Sequence, residues 1–357
     1  MDAPYRLEAL TMNPALVYIV ILNWNGRDET LPCLASLRHL TYSTYCVLVV
    51  DNGSADTSVA DIRNAFPEIE LIETGSNLGF SGGNNVGIKR ALELGANYVL
   101  LLNNDTEVDP GLLDAFVSAA ERFPDAGAFS AKIYFHVEPD RIWYAGARWN
   151  ADASRFEQIG EGVLDDGLSF STTCETDYAC GCAFFVSAKR LGEIGLLDDN
   201  FFLYFEETDW CFRARAAGHP SIFVPEAKLW HKVSVSFGGE GSPLALYFVT
   251  RNRLLWAKRH AAFSRRFSIY AETIRSLFRR FVFPLARTRI RQPFSLKGWW
   301  WSVRGVFHDP SNLAYFMGAR DFCLRRFGDC PPIVRDLAKQ MPARARNVTD
   351  RVSAEIE

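Results

Sequence analysis

The 357-residue chain lacks any apolar run of the roughly 18 residues that a membrane-spanning helix needs. Candidates such as Val17–Leu22, Tyr98–Leu102 and Phe281–Ala286 are short and flanked by polar groups. Residues 1–13 carry Asp2 and Glu8 and lack the basic-then-apolar order of a secretory signal, so the expectation is a cytoplasmic chain. Eight cysteines, at 33, 46, 174, 180, 182, 211, 323 and 330, include no CxxC with zinc spacing. Cys180-Gly-Cys182 sets two thiols too close for an ordinary disulfide framework, which leaves buried or spare thiols as the default. No G-x-G-x-x-G follows the first apolar strand, which argues against a nicotinamide enzyme. Internal repeats of 20–50 residues and nucleic-acid-binding motifs are absent as well.

What is present suffices for a folded core. The chain is 48% hydrophobic, with 27 Phe, 12 Tyr and 9 Trp. Its net charge of −3 conceals two opposite halves. Residues 1–240 hold 17 Lys and Arg against 34 Asp and Glu, whereas residues 241–357 hold 22 against 8.

In the acidic half, Val17–Leu22, Cys46–Val50, Ile69–Ile72 and Tyr98–Leu102 each end in a polar loop, and helical patterns follow. Strand, loop, helix is the βα unit, and four of them predict an α/β fold: a largely parallel sheet with helices on both faces. Asp109 and Pro110 read as N-cap and N1 of a helix over Gly111–Phe123. From residue 125 the alternation gives way to mixed segments, and ligands are expected at the carboxyl edge of the strands.

Several polar groups fall at that edge. Asn23-Trp-Asn25 and Asp51-Asn52 follow buried strands; a carboxylate at 51 can accept hydrogen bonds from a nucleotide base or ribose, although Asp-Asn-Gly is also good turn chemistry. Asn77, Gly79, Phe80, Gly82, Gly83, Asn84 and Gly87 read as a flexible entry to a helix whose N–H groups can approach a diphosphate. Asn103-Asn104-Asp105 offers an oxygen ligand for Mg2+ or Mn2+, with helix capping as the alternative. Glu206, Glu207 and Asp209 crowd three carboxylates on an apolar background, which raises the pKa of one toward that of a general base; a solvated helix start is the plainer reading. His231 is either a metal ligand or an ordinary core or surface histidine.

In this order the motifs resemble family 2 glycosyltransferases over about residues 15–260, and in particular the rhamnosyltransferase-like members that build bacterial surface polysaccharides. The residues that carry the likeness are Val17–Asn25, Asp51–Ser54, Asn77–Gly87, Leu100–Asp105, Phe201–Arg213 and His231. The resemblance implies a GT-A fold, with a mixed sheet flanked by helices, and inverting, metal-dependent transfer from a dTDP- or UDP-sugar. The acceptor would be a glycan or a polyprenyl-diphosphate-linked glycan. By the same resemblance Asp51 holds the donor's base and ribose, and Asn23, Asn25, Asn52, Asn104 and the Asn77–Gly87 segment line its pocket. Asp105 and His231 reach the metal, and Glu207 is the base, supported by Glu206 and Asp209. Asn103 stands where the family has a first acid, and Glu207 stands where an Asp is commoner, so Glu206 remains an alternative base. A nucleotidyltransferase would carry a Gly-rich basic loop after the first strand, which Asn23-Trp-Asn-Gly26 is not, and a non-catalytic module of the same fold would not need the acids.

Three regions are expected: a catalytic domain over 15–240, a basic aromatic helical region over 241–335 and a polar tail over 336–357. Residues 251–304 carry 14 Lys and Arg and one acid, Glu272. Among them and just beyond stand Phe263, Phe267, Tyr270, Leu277, Phe278, Phe281, Phe283, Trp299, Trp300, Trp301 and Phe307. Cationic aromatic helices suit an anionic membrane surface, here the cytoplasmic face of the inner membrane, and packing on the acidic half is compatible with that.

Overall fold

The computed structural model describes residues 14–150, 155–233, 241–284, 304–306 and 308–339. Trp299, Trp300, Trp301, Phe307 and residues 340–357 lie outside the described residues, so the expectations placed on them have no structural counterpart here.

The acidic half begins with β1 (Val17–Asn23), α1 (Arg27–Leu37), β2 (Tyr45–Asp51), α2 (Ser58–Ala65), β3 (Glu70–Glu73), α3 (Gly79–Glu93) and β4 (Tyr98–Asn103). All of β1 except Leu22 is buried, the pattern of a central strand covered on both faces. β1 pairs in parallel with both β2 and β4, and β2 with β3. The registers set Asn23 beside Asp51 and Leu22 beside Asn103, so the polar strand ends share one edge.

The chain continues with β5 (Thr106–Val108), α4 (Leu112–Arg122), β6 (Ala128–Phe135), β7 (Ile142–Tyr144), β8 (Ala147–Asn150), β9 (Arg155–Gln158), β10 (Cys174–Thr176), β11 (Ala183–Ser187), α5 (Ala188–Ile194), α6 (Glu206–Ala216) and β12 (Ser221–His231). The main sheet runs β10-β12-β6-β11-β4-β1-β2-β3, with β5 on β12 and β7 on β6; β8 and β9 form a separate ribbon. β11 lies antiparallel between β4 and β6, which makes the sheet mixed. Helix α4 starts at Leu112, one residue later than expected, because Asp109 Oδ1 takes the Gly111 N–H at 2.8 Å and holds residues 109–111 as the lead-in.

The expected flexible entry at Gly79–Gly87 is instead the first half of α3. Its glycines serve close packing: a Cβ on Gly83 would stand 2.4 Å from Leu22 Cδ1, and one on Gly87 2.3 Å from Val20 Cγ1. A helix with side chains there would have to lift off β1.

Beyond residue 240 come α7 (Pro243–His260), α8 (Phe263–Leu277), a π turn (Phe278–Val282), α9 (Pro310–Cys323) and α10 (Pro332–Lys339). Helix α7 is not a separate layer. Phe202 and Leu203 share a core with Tyr247, Phe248, Ala314, Met317, Cys330 and Val334, and Phe201 shares another with Leu254, Leu255 and Trp256. The charge boundary at residue 240 thus separates parts that fold against each other, and α10 takes up Asp336–Lys339 of the expected tail.

Gly87→Ala should therefore destabilise the fold by about 1–3 kcal/mol, the usual range for overpacking. Gly192→Ala, in α5 with nothing within 4 Å of its added Cβ, should be neutral or stabilising. Thermal denaturation checks both, and an unchanged Tm for Gly87→Ala would contradict the packing of α3 on β1.

Candidate active site

Loops at the carboxyl edge are held by a network that begins at Asn23. Its Nδ2 donates to Asp51 Oδ1 (2.8 Å) and Ser54 Oγ (3.1 Å), and its Oδ1 accepts from Thr30 Oγ1 (2.7 Å). Asn104 Nδ2 reaches the same Thr30 hydroxyl at 2.9 Å. Asp51 also accepts from Ser54 N–H (3.0 Å) and Ser54 Oγ–H (2.5 Å). One of its oxygens, Oδ2, meets only the Ser54 N–H and retains acceptor capacity. Asn25, at φ 50°, donates its N–H to Ser54 Oγ and accepts from Ala55 N–H. Asn23, Asn25 and Asn104 are thus committed to shaping the loops, and Asp51 is the group at this edge with spare capacity.

A second knot starts α3. Asn52 Nδ2 donates to Gly79 O (3.0 Å) and Asn77 Oδ1 (3.2 Å), and its Oδ1 accepts from Leu78 N–H (2.9 Å). Gly79 sits at φ +75°, and a Cβ on it would lie 2.4 Å from Phe202 O. Asn84 bonds back to Phe80 O at 2.9 Å, and Gly82 would meet Leu78. Asn85, within the segment expected to line the donor pocket, instead ties α3 to Leu197 O (2.9 Å) and Asp199 (2.7 Å).

Asp105, just past β4, and His231, at the end of β12, come together across the sheet. Asp105 Oδ1 stands 3.1 Å from His231 Nε2, and both side chains are more than nine-tenths buried. Burial opposes the charge on Asp105, but the adjacent imidazole outweighs it and keeps the carboxyl below the usual carboxylate range. Asp105 Oδ1 and His231 Nδ1 are both buried without an aligned hydrogen-bond partner. Trp143 packs edge-on to the imidazole with ring centroids 4.7 Å apart. The facing pair, Asp105 Oδ1 and His231 Nε2, fits a divalent cation that takes its remaining ligands from elsewhere, whereas Nδ1 lies on the far side of the ring and points away from Asp105. Among the described residues no third His, Cys, Asp or Glu joins them.

Glu206 and Glu207 open α6. Glu206 is 3% exposed, and its Oε2 has no hydrogen-bond partner. Burial, then the charge of Glu207, push its pKa well above the usual carboxylate range. Glu207 is half-buried above Gly181, where an added Cβ would stand 3.6 Å from its carboxyl carbon and 3.4 Å from Phe80. Burial raises Glu207 to about 7 against the opposing pull of the N–H groups at the helix start. Asp209 faces other partners: Arg213 Nε (2.9 Å), Arg259 Nη1 (3.0 Å) and His260 Nε2 (2.8 Å). Burial opposes its charge, and the His260 hydrogen bond together with the Arg213 and Arg259 guanidinium groups outweighs the burial and lowers its pKa. Asp209 therefore fixes α6 to α7, and its carboxylate is not shared with the glutamates.

The turn before α6 is strained. Phe202, Tyr204 and Phe205 have φ of 65°, 68° and 75°, and bulky residues in that region cost ~1–3 kcal/mol each. Arg251 and Asn252 of α7 hold its carbonyls, a role hidden in the sequence because both residues lie in the basic segment and register there only as composition.

The profile of glycosyl transferase family 2 matches residues 18–188, so Glu206, Glu207 and His231 lie beyond the matched stretch. N-acetylglucosaminyl-diphospho-decaprenol L-rhamnosyltransferase of Mycobacterium tuberculosis (strain ATCC 25618 / H37Rv) is 29% identical over 252 residues, 65% of this chain and 81% of that protein. The dTDP-rhamnosyl transferase RfbF of Shigella flexneri is 25% identical over 261 residues, 68% of this chain and 80% of that one. Among solved structures, GalNAc-T7 with UDP, GalNAc and Mn2+ superposes with a TM-score of 0.54 at 14% identity, covering 69% of this chain and 51% of its own. That likeness concerns the fold, and it bears out the expected GT-A arrangement of a mixed sheet flanked by helices. With a matching profile and relatives named as rhamnosyltransferases, residues 18–188 are a domain of glycosyl transferase family 2.

Proposed function

We propose that this chain is an inverting glycosyltransferase that moves a sugar, rhamnose by analogy with its relatives, from a dTDP- or UDP-sugar to a glycan or polyprenyl-diphosphate-linked acceptor. The observation that carries this reading is Glu207: a half-buried carboxyl at about 7, at a helix start, beside a buried Glu206 pushed well above the usual carboxylate range. Such a group is ionised in part at neutral pH and basic enough to accept a hydroxyl proton. Glu207 takes that proton as the acceptor oxygen bonds the anomeric carbon and the nucleoside diphosphate leaves from the opposite face.

Asp51 Oδ2 receives a donor from the base or ribose, and Asn52 and Asn77 keep the α3 start in place beneath it. Asp105 and His231 are the residues that would hold Mg2+ or Mn2+. The cation supplies charge neutralisation of the leaving diphosphate when bound. With Asn103 in place of an acid, the chain brings one carboxylate to that task.

Membrane contact follows from α8 and the π turn. Phe263, Phe267, Ile274, Phe278 and Val282 recur at helical spacing on one exposed face, and Phe263 is 84% exposed. An apolar groove of about 470 Å3 lies between this face and Leu313 and Phe316. Arg265, Arg266, Arg275, Arg279 and Arg280 stand on the same stretch, so apolar insertion and attraction to anionic headgroups coincide. We assign this face to the cytoplasmic surface of the inner membrane, where a lipid-linked acceptor would be presented.

Glu207→Gln should lower kcat by about 10²–10⁴-fold with donor binding retained; survival of turnover in both Glu206→Gln and Glu207→Gln would contradict a carboxylate base in this pair. Because the base must be deprotonated, wild-type kcat should rise with pH through about 7 and level off above it; a profile flat from pH 5 to 8 speaks against this assignment. Asp105→Asn should raise the Mn2+ concentration for half-maximal activity by at least about tenfold, read by metal titration, and full activity in EDTA would remove the metal from the scheme. Vesicle flotation at low salt should recover the protein with anionic but not zwitterionic lipid, and Phe263→Ser/Phe267→Ser should weaken the recovery; equal recovery of the double variant means that this face is not the contact.

A further inference from the structure

Phe201-Phe-Leu-Tyr-Phe205 contains no glycine or proline, yet three of its residues adopt left-handed backbone immediately before the two glutamates. Nothing in such an aromatic run favours that shape over an extended strand or an earlier start to the helix. The cause lies outside it. Asn252 Nδ2 donates to Phe201 O (2.9 Å), Leu203 O (2.7 Å) and Tyr204 O (2.8 Å). Arg251 Nη2 adds contacts to Phe201 O (2.8 Å) and Asn200 O (3.2 Å). From the opposite side Phe80 N–H, at the start of α3, takes Phe202 O at 2.6 Å. Phe205 O receives Asp209 N–H inside the helix, which completes the carbonyls of the turn.

Asn252 is fully buried, and three carbonyls around Nδ2 require the amide's N–H side there. Arg251 Nε donates to Asn252 Oδ1 at 2.9 Å and so fixes that orientation. Arg251 is fully buried as well, with its guanidinium over the Tyr247 and Phe248 rings and Nη1 on Gly328 O (2.6 Å).

We propose that Asn252, oriented by Arg251, is a positioning residue for sugar transfer: it holds Phe201–Phe205 in the left-handed turn that starts α6 at Glu206 and so places Glu207. The assignment rests on Glu207 as the base. It gives the segment beyond residue 240 a part in the reaction that is independent of any membrane. The ionisable groups facing Glu207 are Glu206 on its own helix and in the first turn, Cys211 further along α6, and Tyr178 and Cys180 on the strand-connecting segment. A turn that relaxes exposes the pair to water and shifts Glu207 toward ordinary carboxylate behaviour.

The test compares Asn252→Asp, which keeps the size and removes the donors, with Asn252→Ala, in the full chain. Nucleotide release from dTDP-rhamnose with Mn2+ is measured across pH, together with hydrogen exchange of the backbone amides. The expected result is a kcat loss of about 100-fold with donor KM within about threefold. The acid limb of kcat moves to lower pH, and exchange accelerates over residues 201–209 while β1, β2 and β4 stay protected. Wild-type exchange over 201–209, a kcat within about threefold of wild type, or a kcat loss with an unmoved acid limb would each overturn the assignment. Unfolding of both variants would overturn it too, since the clamp is assigned to the turn and not to the fold. Turnover in a parallel Glu207→Gln sample would instead defeat the base reading, and the exchange data would still report on the clamp.

Discussion

A buried and a half-buried carboxyl, adjacent at the start of one helix and with no cation against them among the described residues, are the constraint around which this site is arranged. Elsewhere the chain treats buried acids differently. Asp51 is wrapped in hydrogen-bond donors, Asp105 faces His231, and Asp209 is gripped by two arginines and a histidine. The arrangements around Asp105 and Asp209 favour the charged form. Among the described residues Glu206 and Glu207 receive only the helix N-terminus, so burial dominates and raises both. The result is a carboxyl at about 7 beside one pushed well above its ordinary range, and a group near 7 suits proton removal from a hydroxyl.

Holding that pair in place draws on distant parts of the chain. Helix α3 approaches β1 closely because Gly83 and Gly87 have no side chains, which brings Phe80 to the turn before α6. Helix α7 meets the same turn from the other side and also binds Asp209 through Arg259 and His260. The turn is thus bracketed by the donor side of the fold and by the basic C-terminal region. Helix α8 then points its phenylalanines away from this assembly.

Much of the fold could be read in the sequence, because buried parallel strands are near-continuous apolar runs and their ends are marked by Asn, Asp and Gly. Asp51, Asp105, Glu206, Glu207 and His231 fall at one edge or beside it for that reason. What sequence reasoning missed has physical causes. Glycines at 79–87 look like a loop in composition, whereas here they permit tight helix-on-strand contact. Asp209 reads as one of three clustered acids until helical geometry turns it toward α7. Arg251 and Asn252 carry no signal beyond the charge of their segment, since their partners are backbone carbonyls some 50 positions earlier. The charge step at residue 240 is real in composition, but packing crosses it, and Arg251, Arg253 and Arg259 face inward partners.

Glu207 at about 7, beside a Glu206 pushed well above its ordinary range, is the claim on which the site rests. Direct titration of the glutamate side-chain carboxyls by carbon-13 NMR, with Glu206→Gln and Glu207→Gln used to assign the two resonances, tests it without any substrate. A Glu207 resonance that titrates near 7, with Glu206 also titrating well above its ordinary value, is the result required. Both carboxyls titrating together near 4.5, the ordinary value for glutamate, would contradict it.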